Sequence, residues 1–396
     1  MLIDGSQASM PDDFIPLSVP EIRGREWEYV KECLDTGWVS SVGSYVDRFE
    51  AAVAAAVGTR HAVATVNGTS ALHLALQVAG VEPGDEVLVS DLTFIAPVNA
   101  LRYLGAHPVL VDAEPVHCQM DPGLVRAFLQ EGCERVGGTL RNRATGRRVA
   151  ALLPVDALGH PVDLDPLLEV ARPLGVAVVE DATESLGASY KGQPVGGRAD
   201  IACISFNGNK VITTGGGGML LTDREDWARR ARHLSTQAKD DPIEFVHGEV
   251  GYNYRLTNIL AAVGCAQMEQ LEAFVTRKRA IADRYREALA GVPGITVPGE
   301  APWARSIYWM YTLLVDAEAY GMDSRALLKE LGRRRIQARP LWQPMHLSPA
   351  HKGAAVLGGA VSERLNRTGL SIPCSVGLDE RAQARVIEAI LSLGPR

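Results

Sequence analysis

Cysteine, lysine, aromatic rings and long apolar runs are all scarce in this 396-residue chain, and each scarcity removes a class of protein. The six cysteines, Cys33, Cys118, Cys133, Cys203, Cys265 and Cys374, lie far apart and form no CxxC pair. Neither a disulfide framework nor a metal site is therefore expected, and a reducing cytoplasm is the simplest setting. No apolar run reaches the roughly 18 residues that span a bilayer, and the start, MLIDG, lacks a signal-peptide pattern, so no membrane partner is expected. Positive charge is also short: the formal net charge is -7. General nucleic-acid binding needs a net basic surface, so nucleic acid is not an expected partner.

What is present fits a folded soluble protein. A hydrophobic share of 46% with 22% charged residues gives no sign of disorder. The length exceeds one typical core, which predicts two domains. Short apolar runs alternate with helical patterns, so the spacing predicts an α/β fold with a mainly parallel sheet flanked by helices. Strands are expected over 61–66, 86–90, 108–112, 149–155, 176–180 and 201–205. From Thr257 the pattern becomes long helices, then short strands and terminal helices. The expected division is an N-terminal segment 1–44 packed with the C-terminal part, a large domain 45–260, and a smaller α+β domain 261–396.

In open α/β sheets ligands bind beyond the carboxyl ends of strands, where helix N-termini offer free N–H groups. The first strand ends in Asn67-Gly68-Thr69-Ser70, a candidate phosphate cup, although Ser and Thr are also ordinary helix caps. The second leads to Phe94, a core-type residue that here could stack on a planar ring. The fifth ends in Val179-Glu180-Asp181, and the sixth is followed by Ser205-Phe206-Asn207-Gly208-Asn209-Lys210 and the run Gly215 to Gly218. Lysine is rare, with seven against thirty-three arginines, and the other six have polar or charged neighbours. One lysine and one buried-edge carboxylate are what pyridoxal phosphate chemistry requires: an amine to form a Schiff base, and an acid to keep the pyridine nitrogen protonated. The commoner role for such an aspartate is capping the next helix.

One segment breaks the alternation. Residues 132–149 are rich in glycine and arginine, with Ala144-Thr145-Gly146 expected as the turn between two short strands. The simpler reading is a solvated hairpin; the functional one is that Arg141, Arg143, Arg147 or Arg148 reaches a substrate phosphate.

The ordered motifs GTSAL, TF near Asn99, VVEDATESLGA, SFNGNKVITTGGGGM and GYNYRL together resemble the DegT/StrS-type nucleotide-sugar aminotransferases, and the likeness spans nearly the whole chain. The resemblance implies a pyridoxal 5'-phosphate enzyme of the aspartate-aminotransferase-like fold type I, acting as a homodimer with shared active sites. Residues 32–43, the arginine-rich insertion and residues 234–239 are most similar to the legionaminic-acid branch of bacterial surface-sugar pathways. Lys210 would form the Schiff base and shuttle the proton, and Asp181 would pair with the pyridine nitrogen, held ionised by it. Phe94 would pack on the ring. Gly68, Thr69, Ser70 and Ser205 would hold the phosphate, with Asn253 reaching it from the other subunit. Ser40, Ser41, Trp342 and His346 would stand on the substrate side.

The chain also departs from the family. Glu184 stands where glutamine or histidine is commoner, near the cofactor's phenolic oxygen. Gly216 replaces a frequent glutamate, and Asp156 a frequent histidine. The implied reaction is a two-stage transfer from L-glutamate to a 4-keto-6-deoxy hexose linked to UDP or GDP. Alternatives are a sugar dehydratase, which carries histidine in place of Lys210; another fold-type I enzyme, such as a desulfurase or aldolase; and a non-catalytic regulator that keeps only the binding fold.

Overall fold

In a computed structural model, which describes residues 13–241 and 243–395, the large domain is built on an eight-stranded sheet. Its strands are β1 (His61–Thr65), β2 (Glu86–Ser90), β3 (His107–Val111), β4 (Val149–Leu153), β5 (Ala177–Asp181), β6 (Ile201–Ser205), β7 (Gly218–Thr222) and β8 (Ala355–Leu357). They lie in the order β1-β7-β6-β5-β4-β2-β3-β8. Only β7 runs against the rest, pairing antiparallel with both β1 and β6. Strands β2 and β7 are buried along their whole length, as expected where helices cover both faces.

The six expected strands all form, with ends shifted by no more than two residues. Two strands were not expected. Strand β7 starts inside the glycine run, where a turn signal hides it. Strand β8 is three residues long and returns from the C-terminal part to pair with β3.

Helices α1 (Glu26–Thr36), α2 (Ser44–Val57) and α4 (Asn258–Met268) pack together on the large-domain core, with α3 (Gly68–Val78) on the other face of the sheet. Tyr29 and Cys33 of α1 enter that core with Ala261, Ala262 and Cys265 of α4. The change of core falls inside α5 (Leu271–Leu289): Phe274 and Val275 face the large-domain core, whereas Ile281, Ala282, Tyr285 and Leu289 belong to the small-domain core. This lies later than the expected 260/261 division. Of the N-terminal segment, Ile15 and Leu17 run along the small domain through Ile15 N–H to Arg335 O and Cys374 N–H to Leu17 O, but α1 packs on the large domain. The small domain is a four-stranded antiparallel sheet of Ile295–Thr296, Tyr311–Val315, Gly369–Ile372 and Arg339–Pro340 covered by helices.

The arginine-rich insertion holds a hairpin turned at Gly137-Gly138, and the expected turn at Ala144-Thr145-Gly146 also forms, closed by the antiparallel bridge of Arg141 with Arg148. Gly137 and Gly138 have positive φ, a conformation with little steric penalty only for glycine. The expected turn links the hairpin to β4, with Gly146 N–H donating to Asn142 O. Among the described residues no helix is long and apolar enough to cross a membrane.

Candidate active site

The carboxyl ends of β1, β2, β4, β5 and β6 open into a cavity of about 630 Å³, closed on its far side by Trp309, Met310, Arg339 and Trp342 of the small domain. Gly68, Thr69, Phe94, Asp181, Glu184, Ser205, Lys210 and Trp342, all singled out in the sequence, line it together.

The cup after β1 is a helix start. Asn67 caps α3 by accepting from Ser70 N–H at 2.8 Å, so Ser70 has its amide spent and its side chain buried outside the cavity lining. The amides of Gly68 and Thr69 belong to the first turn, which helix geometry leaves without intrahelical partners. A Cβ on Gly68 would lie 2.9 Å from Ser205 Cβ, so glycine lets α3 close onto β6 and brings the Ser205 hydroxyl to the same cup. Gly218 is equally constrained: its Cβ would fall 2.3 Å from Asn67 O. Glycine at 216 meets nothing nearer than Val66 O at 3.8 Å. That open position is where this chain differs from the family pattern, and a side chain would fit there.

Asp181 ends β5 on the cavity floor, 2% exposed, with Oδ1 accepting from Thr183 N–H at 3.1 Å. Burial pushes its carboxyl up, against the hydrogen bonds from Thr183 and the charge of Lys210. The expected depression therefore needs a cation on the ring nitrogen; the chain's own groups do not supply it. Glu184 Oε1 lies 3.5 Å from Lys210 Nζ, and its Oε2 accepts from Leu158 N–H at 2.8 Å. Burial pushes Glu184 up to about 7, with Lys210 opposing. Asp156 is fully buried outside the lining, where it accepts from Ser185 Oγ at 2.7 Å and Val162 N–H at 2.9 Å. It ties the loops after β4 and β5 together. Cys203 lies inside β6, fully buried, and burial pushes its thiol well up, as for an inert core residue.

Other expected residues are not in the cavity. His346 sits between Asp91 and Glu363, its Nδ1 2.6 Å from Asp91 Oδ2 and its Nε2 3.1 Å from Glu363 Oε1. Burial lowers its pKa, but these two carboxylates outweigh that and raise it. It fastens the 345–347 turn to the end of β2 and does not line the substrate side. Ser40 accepts from Asn258 N–H through its carbonyl and, like Ser41, is absent from the walls. Asn253 bridges to Thr236 outside this cavity; its expected role toward a second copy places no demand here.

Among the lining residues given no site role in the sequence are Ser18, Asn209, Trp309, Gln337 and Arg339. Asn209 adjoins Lys210 in the SFNGNK motif, whereas tertiary packing alone brings the other four to the sheet edge. The hairpin arginines are taken up locally. Arg141 donates to Gly146 O, Arg143 pairs with Glu134, Arg147 lies 3.7 Å from Glu86, and Arg148 binds Asp85.

This donor set fits pyridoxal phosphate. The cup presents two free amides and a hydroxyl to a phosphate, Asp181 an acceptor to a ring N–H, and Lys210 an amine to an aldehyde. The close approach at Gly68 supports the same fit.

Comparison with known proteins points the same way. The sequence model of the DegT/DnrJ/EryC1/StrS aminotransferase family matches residues 20–391. A GDP-perosamine synthase of Caulobacter vibrioides is 39% identical over 377 residues, covering 95% of this chain and 97% of that protein. The dTDP-3-amino-3,4,6-trideoxy-alpha-D-glucose transaminase of Streptomyces venezuelae is 34% identical over 373 residues, 93% of this chain and 92% of that protein. Among solved structures, S. venezuelae DesV in complex with a ketimine intermediate superposes with a TM-score of 0.84 at 33% identity, covering 94% of this chain and 95% of the other.

Proposed function

The chain belongs to the DegT/DnrJ/EryC1/StrS aminotransferase family, and from that premise we propose that it transfers the amino group of L-glutamate to the 4-keto carbon of a GDP-linked 4-keto-6-deoxy hexose. It is a pyridoxal phosphate-dependent nucleotide-sugar aminotransferase. The single observation that carries the reading is the convergence of Lys210, Asp181 and the Gly68–Ser205 cup on one cavity. The choice of GDP is supported by the naming of three relatives, 33 to 39% identical, as GDP-perosamine synthases. An acceptor of the legionaminic branch, with UDP or GDP as its nucleotide, rests on residues 32–43, 132–149 and 234–239, and the local pairing of the hairpin arginines removes part of that support.

Bound in this cavity, pyridoxal phosphate supplies the electron sink that lets hydrogen leave an amine-bearing carbon as a proton. The chain's residues do the rest. Gly68, Thr69 and Ser205 bind the phosphate. Asp181 accepts the ring N–H and is held ionised by it, which reverses the upward push of burial. Phe94 covers the ring, and Glu184 faces the lysine from the side. Lys210 Nζ takes a proton from the donor Cα in the first half-reaction and gives one to the sugar C4 in the second. Arg339 lines the cavity and pairs with no carboxylate among the described residues, so it is the group offered to a carboxylate of glutamate. A homodimer with Asn253 serving the partner's site is supported by the exposed apolar side chains of Trp27, Leu34, Trp38 and Val42, a surface that a second copy would cover.

The deciding experiment is incubation of the glutamate-treated enzyme with GDP-, UDP- and dTDP-linked 4-keto sugars, read by mass. A mass change from keto to amino on the GDP-linked sugar alone is expected. Amination of only UDP-linked sugars would replace the substrate, and none at all would remove the transfer. Mixing Lys210→Ala and Asn253→Ala chains separately tests the shared site, since one intact site should return.

A further inference from the structure

Lysine carries its charge on a flexible four-carbon stem, and a reaction that frees it from the cofactor in mid-cycle needs it held in place. The structure contains such a holder. Lys210 Nζ lies over the ring of Trp309, 3.9 Å from the centroid, with Glu184 Oε1 at 3.5 Å. The lysine side chain is only 11% exposed, so ring face and carboxylate stand where an ordinary lysine would have water.

Trp309 is itself aimed by its surroundings. Its Nε1–H donates at 2.7 Å to Asn209 O, the carbonyl directly before Lys210, which also accepts from Ser18 Oγ at 3.2 Å. The indole stacks on Trp342, with ring centroids 6.4 Å apart and planes 18° from parallel. The preceding residue, Tyr308, has a φ of +48°, unusual for a side chain of its size. The carboxylate side is built in the same way: Leu158 at φ +64° turns its N–H toward Glu184 Oε2. A tryptophan that merely filled a core would not need a hydrogen bond to the lysine's own loop.

We propose that Trp309 is a positioning residue for Lys210, forming with Glu184 a two-sided socket that keeps the amine directed into the cavity whenever it is free. The inference rests on Lys210 being the reactive amine. Trp309 acts on the lysine alone: the ring face attracts the ammonium through its quadrupole and walls the neutral amine against swinging toward Trp342.

The test uses the full-length chain freed of cofactor, with pyridoxal phosphate as the probe. Covalent capture is fixed by borohydride, located by peptide mass, and timed for every chain at the same neutral pH. Wild type should be labelled at Lys210. Trp309→Leu and Trp309→Met should slow capture about fivefold, whereas Trp309→Phe, which keeps a ring face but loses the N–H that aims it, should slow capture by about two- to threefold. Methionine fills the space flexibly and guards against a leucine variant that packs badly; melting curves of all three variants separate loss of fold from loss of aim. Capture at the wild-type rate in both Leu and Met variants, or a Phe variant as slow as Leu, overturns the socket. Labelling of wild type at another lysine instead overturns the assignment of Lys210 itself.

Discussion

Two cation-bearing regions of the large domain, the arginine hairpin and the cavity edge, teach opposite lessons. The hairpin at Cys133–Val136 and Thr139–Asn142, with its flank to residue 148, holds five arginines, and the cavity edge holds one lysine. In the hairpin every arginine from 141 to 148 finds a partner nearby, mostly in solvent, where screening leaves little net energy. At the cavity, Asp181 and Glu184 are buried beside Lys210, whose side chain is 11% exposed, and the cup amides are unspent. Density of charge therefore does not locate chemistry here. Buried charge and unused hydrogen-bonding capacity do.

The sharpest break of this contrast is Lys210→Ala. Loss of the amine proposed as both acid–base group and attachment point should lower turnover by about 10³-fold or more. The measurement is the rate of amino-sugar formation, and a variant retaining a tenth of wild-type activity would place the chemistry elsewhere.

A second test compares two glycines three positions after Thr213 and after Gly215. Gly218→Ala forces a Cβ to 2.3 Å from Asn67 O and 2.7 Å from Gly68 N, both backbone atoms of the cup. A destabilisation of about 1–3 kcal/mol is expected from such overpacking, with weaker cofactor retention. Gly216→Ala meets open space outside the left-handed region and should be neutral or stabilising by about 0.4–1 kcal/mol. Thermal melts of the two variants side by side check this, and equal losses would mean that the cup is not what the glycine run protects.

What could be read from the sequence follows the reach of each signal. The Lys210–Asp181 pair was legible because strand ends fix where short polar segments fall, and apolar runs mark strand ends. The helix start at Gly68 was legible for the same reason. Strand β7 was hidden because Gly218 looks like loop, yet it is a strand residue chosen for close approach to Asn67. The cavity positions of Trp309 and Arg339 were illegible, since only tertiary packing brings them there. His346 shows the reverse error. The family resemblance placed this histidine on the substrate side, but two carboxylates, Asp91 and Glu363, claim both its nitrogens.

A smaller effect concerns pH. Glu184 is raised by burial to about 7, so the folded chain binds a proton that the unfolded chain releases near the ordinary carboxylate value of about 4.3. Between those values the native state holds more protons, so this group's contribution is present at low pH and fades as pH rises toward 7. Glu184→Gln removes the titration. Denaturant melts of cofactor-free protein should show the variant gaining on wild type by about 1–3 kcal/mol from pH 5 to pH 8, and a constant difference would mean that Glu184 is ionised throughout.

The smallest expected effect completes the contrast. Arg143 and its partner Glu134 are about half exposed, with side-chain exposures of 55% and 46%, and Arg141 donates only to a turn carbonyl. Exposed pairs of this kind are worth roughly 0–1 kcal/mol. The double variant Arg141→Gln/Arg143→Gln should keep kcat and the KM for the sugar within about twofold and shift stability by less than about 1 kcal/mol. Arg148 is left in place, because its hold on the buried Asp85 is structural. A selective rise in the KM for the sugar would show that the hairpin reaches the substrate after all, with Arg141 and Arg143 released from their local partners; the contrast between the two regions would then hold only for the isolated chain.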